Sequence, residues 1–225
     1  MKFIYHHLGL GNHIVNNGMI RHFYKKYGEL TLFAYKHNVK NVQYMYRDLE
    51  NFQVLGVESD AQADYYISNQ KLDCLKIGFG DLSGVMPDLP FDKAFYKLVG
   101  LDFSVRFDEF YFERNLEKEE EVCKTLNPDG EKYIFVLDDP KRGYNIDMTK
   151  VADEYKVIRN DFKFKMFDYI KLLENAEEIH MMQTGFLDMV NSYKMYKPKI
   201  YRHNYVRNYP ASIHSKGLNE VIGID

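Results

Sequence analysis

The chain has 225 residues, 45% of them hydrophobic, a formal net charge of −3 and two cysteines. That length accommodates one large domain or two small ones with a real core, and the charge gives no global field toward nucleic acid or an anionic membrane. No apolar run approaches the roughly 18 residues of a transmembrane helix, and the first residues carry no secretory apolar segment, so a cytoplasmic protein is expected.

Residues 3–5 read as a first strand, and 13–27 as a helix ended near Gly28. Between them lies His-His-Leu-Gly-Leu-Gly-Asn-His-Ile at 6–14. Gly9 and Gly11 permit a tight turn and a close approach of ligand to backbone, and a helix start offers unpaired N–H groups. Two familiar phosphate motifs are excluded. Ile14 stands where a dinucleotide fingerprint needs its third glycine, no acid ends the second strand, and no Gly-Lys-Ser/Thr follows. What remains is a glycine turn carrying Asn12, His13 and Asn16 beside a ligand crevice; the plainer alternative is a βα turn with no ligand role.

Strands are expected at 30–35, 52–57 and 72–78. Helices are expected at 41–49 and 60–69, the second capped by Ser59. Strands alternating with helices imply a parallel sheet covered on both faces. Residues 79–130 break the rhythm. They hold a turn-rich stretch, a helix at 91–99 that Asp92 would cap, and an aromatic run at 103–114 suited to packing between layers. A charged helix at 116–126 follows, with Glu117, Glu119, Glu120 and Glu121 expected on a solvated face.

The alternation then returns with strands at 133–137, 155–159, 177–182 and 199–203 and helices at 167–176 and 186–193. The segment Met182-Gln183-Thr184-Gly185-Phe186 repeats the logic of the opening turn. Thr184 can cap the helix, and Gly185 lets backbone approach a phosphate. Lys141, Arg142 and Arg159 lie at the ends of other strands in this half, where they would hold a diphosphate. The plainer alternative is a capped helix and surface cations. The expected fold class is α/β, with two facing Rossmann-like units, each a parallel sheet flanked by helices. The expected division is 1–90, a bridging segment 91–130, and a smaller unit 131–225. Cys74 and Cys123 are far apart, and neither they nor the eight histidines show ligand spacing, so no metal is expected.

His-Leu-Gly-Leu-Gly-Asn-His-Ile at 7–14, with Asn17-Gly18 after it, resembles the Gly-Leu-Gly-Asp-His-Ile…Asn-Gly opening of glycosyltransferase-like proteins of bacteria, phages and large viruses. These are related in pattern to heptosyltransferase-type enzymes of the GT-B fold. Segments 91–96, 133–144 and 173–180 extend the resemblance in order along the chain. It implies a nucleotide-sugar donor, bound by the second unit with Thr184 and Gly185 at the diphosphate and Arg142 nearby; Phe186, Lys141 and Arg159 join the expected donor site from the strand-end reading above. It also implies a saccharide or glycoconjugate acceptor beside Gly9, Gly11 and Asn16 of the first unit, with no cofactor beyond the donor. The chain departs from the pattern at Asn12, commonly Asp, and at Leu137, commonly His, before Asp138-Asp139. Asn has no titratable group, so His13, with an ordinary pKa near neutrality, becomes the candidate base and Asn12 an orienting group. Two other readings are a sugar-nucleotide or sugar-phosphate binding protein without turnover, and a nucleotide-sugar epimerase.

Overall fold

The computed structural model describes residues 1–78, 89–151, 154–193, 195, 197–206 and 218–221, with Lys150 and 218–221 described in their backbone alone. The chain divides into two compact units, Met1–Glu113 and Arg114–Asp225. The boundary falls inside the expected bridge: the helices at its start belong to the first unit and the charged helix to the second.

The first unit contains β1 (Lys2–Tyr5), α1 (Leu10–Val15), α2 (Asn17–Tyr27), β2 (Leu30–Tyr35) and α3 (Val39–Met45). It continues with β3 (Phe52–Val57), α4 (Asp60–Asn69), β4 (Cys74–Lys76), α5 (Phe91–Leu98) and α6 (Val105–Asp108). Its four strands are parallel and lie in the order β3-β2-β1-β4. β2 is buried from Leu30 to Ala34 without alternation, as a central parallel strand covered on both faces must be. Tyr5, Leu8, Phe33, Val57, Ala63 and Ile67 make one core cluster of this unit. Ser59 caps α4 as expected, its Oγ accepting from Gln62 N–H at 3.2 Å.

The expected helix at 13–27 is two helices, broken at Asn16 (φ −90°, ψ 2°). Asn16, Asn17 and Gly18 are weak helix formers, so the break costs little. It lets α2 approach the 105–106 backbone closely: a Cβ on Gly18 would sit 2.2 Å from the Val105 carbonyl oxygen. Gly18→Ala is therefore expected to destabilise by roughly 1–3 kcal/mol, because the obstacle is backbone and cannot rotate away. Urea unfolding measures this, and an unchanged midpoint would refute the close approach.

Asp92 does not serve as the N-cap of α5; Pro90 holds that position. The Asp92 side chain is buried and forms an ion pair with Arg106 of α6, whose guanidinium also lies over the Phe103 and Phe107 rings at 5.7 and 5.3 Å. Tyr96, Phe103 and Phe107 meet edge to face, so the aromatic run does pack layers together. Arg21 joins α2 to the end of α3, with paired bonds to Asp48 at 2.7 and 2.9 Å and one to the Met45 carbonyl at 2.9 Å.

The second unit contains α7 (Leu116–Leu126), β5 (Tyr133–Leu137), β6 (Lys156–Arg159), α8 (Ile170–Asn175), β7 (Glu178–Met181), α9 (Gly185–Ser192), β8 (Lys199–His203) and β9 (Leu218–Val221). All five strands are parallel, in the order β6-β5-β7-β8-β9. The interior strand β5, between β6 and β7, is buried along its whole length. The sequence reading ended the sheet at 199–203; β9 adds a strand, and its four residues, Leu-Asn-Glu-Val, are too few to show a period. Glu119 is the exception to a solvated acidic face on α7. It is 0% exposed and is held by Arg114, which also reaches Glu174 at 3.0 Å. The free Cys74 and Cys123, on β4 and α7, are both half-buried. Burial pushes the Cys74 thiol up to about 11 and raises that of Cys123.

Candidate functional site

Parallel strands put all their carboxyl ends at one edge, and in open α/β sheets ligands bind there, where the strand order reverses. In the first unit the reversal lies between β1 and β4. The chain leaves β1 through His6 and His7. His7 Nε2 donates to the Gly78 carbonyl at 2.6 Å, joining the ends of the two strands. His6 Nδ1 donates to the His7 carbonyl at 2.8 Å, which fixes its tautomer and leaves Nε2 as a bare acceptor. Asn38 Nδ2 donates to the Leu8 carbonyl at 3.2 Å and holds the turn down.

The turn residues separate into two sets. Gly9, Gly11 and Asn12 are partly exposed. His13 and Asn16 are fully buried; no well-aligned hydrogen bond reaches either polar side-chain atom of Asn16 or either ring nitrogen of His13, whose nearest polar neighbour is the Leu8 backbone. His13 is also not at the start of its helix: α1 begins at Leu10, with Gly9 as N-cap. Its ring lies 4.6 Å from that of His6, centroid to centroid. Burial, then the neighbouring His6, holds the His13 pKa well below the usual imidazole value; burial, with a smaller push from His7, brings His6 down to about 4. The ordinary near-neutral pKa expected for His13 is thus corrected, and in this conformation its ring does not reach solvent.

In the second unit the order reverses between β5 and β7. The loop after β5 is held at its base. Ile146 N–H donates to Asp138 Oδ1 at 2.9 Å, and Asp139 and Tyr144 form a short antiparallel bridge. Lys141 and Arg142 stand at its tip. Arg142 is 72% exposed, its Nε 3.4 Å from Asp139 Oδ2. Arg159, at the end of β6, is committed to an ion pair with Asp138. The sequence reading grouped it with the phosphate ligands, because a cation at a strand end carries no sign of its internal partner.

After β7, Thr184 is the N-cap of α9, with extended backbone (φ −153°). The expected side-chain cap is absent: Thr184 Oγ1 is buried without a partner. Gly185 opens the helix, and Phe186 packs edge to face on Tyr169 at 5.4 Å. Asp188, in the first turn, puts a carboxylate near the positive end of the helix. The structure thus brings Arg142, Lys141, Thr184 and Gly185 to one sheet edge, while Phe186 and Arg159 are engaged in packing and pairing. Among the described residues, no group of three or more His, Cys, Asp or Glu is placed to hold a metal ion, and no helix is long and apolar enough to cross a membrane.

No protein-family model and no curated protein matches the chain by sequence. A solved structure does match. It is the crystal structure of the glycosyl transferase family 9 protein from Veillonella parvula DSM 2008, with a TM-score of 0.60 over 99% of this chain and 86% of that chain. The fold is like that of a glycosyltransferase. Sequence identity is 10%, so the likeness carries the fold and assigns no residue its role.

Proposed function

We propose that the protein transfers a sugar from a nucleotide-sugar donor to a saccharide or glycoconjugate acceptor, without a metal. The observation that carries this reading is the likeness, over nearly the whole chain, to a glycosyltransferase fold. Two further features support it. Each unit has its own switch-point edge, and the second presents cations and a helix start there. In this reading Arg142, Lys141 and the Gly185 amide stabilise the leaving diphosphate. The acceptor approaches Gly9, Gly11 and Asn12. His13, with His6 and His7 as rivals in the same connection, is the candidate base of that turn; its burial means that it acts as a base only after the turn opens.

Arg142→Ala is expected to weaken binding of a nucleoside diphosphate by about 10–100-fold, the effect of losing a charge-assisted contact. Unchanged affinity in calorimetry would remove Arg142 from the phosphate site. One specific observation favours a second reading, that of a sugar-nucleotide binding protein without turnover: Asn12 cannot accept a proton and His13 is enclosed. Donor consumption measured with and without a panel of saccharide acceptors separates the two. Consumption that depends on acceptor supports transfer, whereas binding without consumption under every condition supports the second reading.

A further inference from the structure

A hydrogen-bond chain crosses one face of the second sheet, buried at His180 and His203, and ends at the exposed Asp147 N–H, five residues beyond Arg142. His180 lies opposite Val136 in the register of β5 and β7, on the face that carries Ile134, Ile146 and Val151. Its Nε2 is 3.2 Å from Glu178 Oε2, and its Nδ1 is 2.9 Å from His203 Nε2. His203 Nδ1 is 3.1 Å from the Tyr205 hydroxyl, which accepts the Asp147 N–H at 2.9 Å. Tyr201 stacks on His180 with rings 4.7 Å apart and 9° from parallel, which fixes the imidazole plane.

The proton inventory orients part of this chain. The Glu178 carboxylate only accepts, so His180 Nε2 donates and the Nδ1 of a neutral His180 must accept, which makes His203 Nε2 a donor. The Tyr205 oxygen receives the Asp147 N–H. A neutral His203 accepts the Tyr205 proton at Nδ1 and a protonated one donates there, so in either form its ring is held between His180 and Tyr205. Asp147 ends the segment whose tip carries Lys141 and Arg142. Other ties at the base of that segment include Asp138 to Ile146 N–H, Asp138 N–H to Asn160 Oδ1 at 2.9 Å, the Arg159–Asp138 ion pair and the Asp139–Tyr144 bridge.

We propose that His180, His203 and Tyr205 are positioning residues for the Lys141–Arg142 phosphate loop, acting through the Tyr205 bond to Asp147 N–H. The functional half of this proposal rests on the glycosyltransferase reading. The structural half does not.

The first test is 15N NMR of the imidazoles in the whole protein at pH 7. His180 should show the Nε2–H tautomer and His203 should carry a proton on Nε2, and an averaged tautomer at either ring would overturn the proposal. The second is Tyr205→Phe, which keeps the ring and removes only the oxygen. The Asp147 amide should exchange at least about 10-fold faster while the amides of β5 and β7 keep their rates, since one local bond is lost. Affinity for whichever of UDP, GDP, ADP or CDP the wild type binds should fall about 3–10-fold, with donor KM raised and kcat lowered to a similar extent. Unaltered Asp147 exchange, or unaltered nucleotide affinity in the variant, would overturn the positioning role. If none of the four nucleotides binds the wild type, the glycosyltransferase reading falls, and the tautomers and Asp147 exchange still decide the clamp.

Discussion

Taking the protein from pH 7.5 to pH 4.5 is expected to remove about 2–3 kcal/mol of folding stability through His6 alone. Burial holds the folded-state pKa of His6 near 4, below the ordinary imidazole value of 6.5. Between those two values the unfolded chain binds a proton that the folded chain refuses. Stability therefore rises with pH across this window: it is fully present above 6.5 and drains away as pH falls toward 4. His13 adds to the slope with the same sign, because its pKa is also pushed down by burial. His180 does too, since burial outweighs its contact with Glu178. The carboxylates held below their ordinary range, Glu109 and Asp161 among them, lose their contribution only at still lower pH. The stretch from pH 6.5 to 5 thus belongs to the histidines. Urea unfolding at half-unit pH steps reads the slope, and His6→Gln should flatten it by close to one proton. A wild-type slope near zero in that window would mean that these rings are hydrated.

Asp92→Ala should lower the stability of the first unit by about 3–5 kcal/mol, because it leaves the Arg106 guanidinium buried beside an apolar methyl group. The side chains of Arg106 and Asp92 are 2% and 7% exposed, so water cannot take over the lost contact. The pair also joins α5 to α6, and α6 is the element against which Gly18 packs. The loss therefore spreads to α2. The double variant Asp92→Leu with Arg106→Met removes both charges and should recover most of the single-variant loss, since the cost lies in a buried guanidinium that has lost its carboxylate rather than in the missing attraction. A double-mutant cycle on chemical unfolding measures the coupling. Additive losses would show that the two side chains do not depend on each other.

The sheets were legible where hydrophobic runs are long and bounded by turn residues. The strands at 30–35, 52–57 and 133–137 match the expected spans, as does the helix at 60–69 behind its Ser59 cap. Legibility failed where the deciding partner is distant in the chain. Asp92 reads as a helix cap until Arg106 is seen beside it, and Glu119 reads as a solvated acid until Arg114 and the Lys171 amide enclose it. The candidate site divides in the same way. Gly9, Gly11 and Arg142 lie at strand-end edges, as a βα pattern dictates. Local spacing puts His13 at a helix start, yet α1 begins three residues earlier and carries the ring inward. The chain Glu178–His180–His203–Tyr205 left no sequence signal beyond an alternate-residue spacing on two strands.

The two thiols give each unit its own internal reporter. Cys74 belongs to the first unit and Cys123 to the second, and the sequence holds no other cysteine. Both are half-buried with raised pKa values, so each is a poor nucleophile in the folded state and an ordinary one once its surroundings melt. Pulsed alkylation followed by peptide mass spectrometry can therefore time the two unfolding events separately in the untouched protein. Coincident labelling would mark the chain as one cooperative body. Staggered labelling would mark it as two bodies that melt in turn, and would assign each measured loss of stability to its own half.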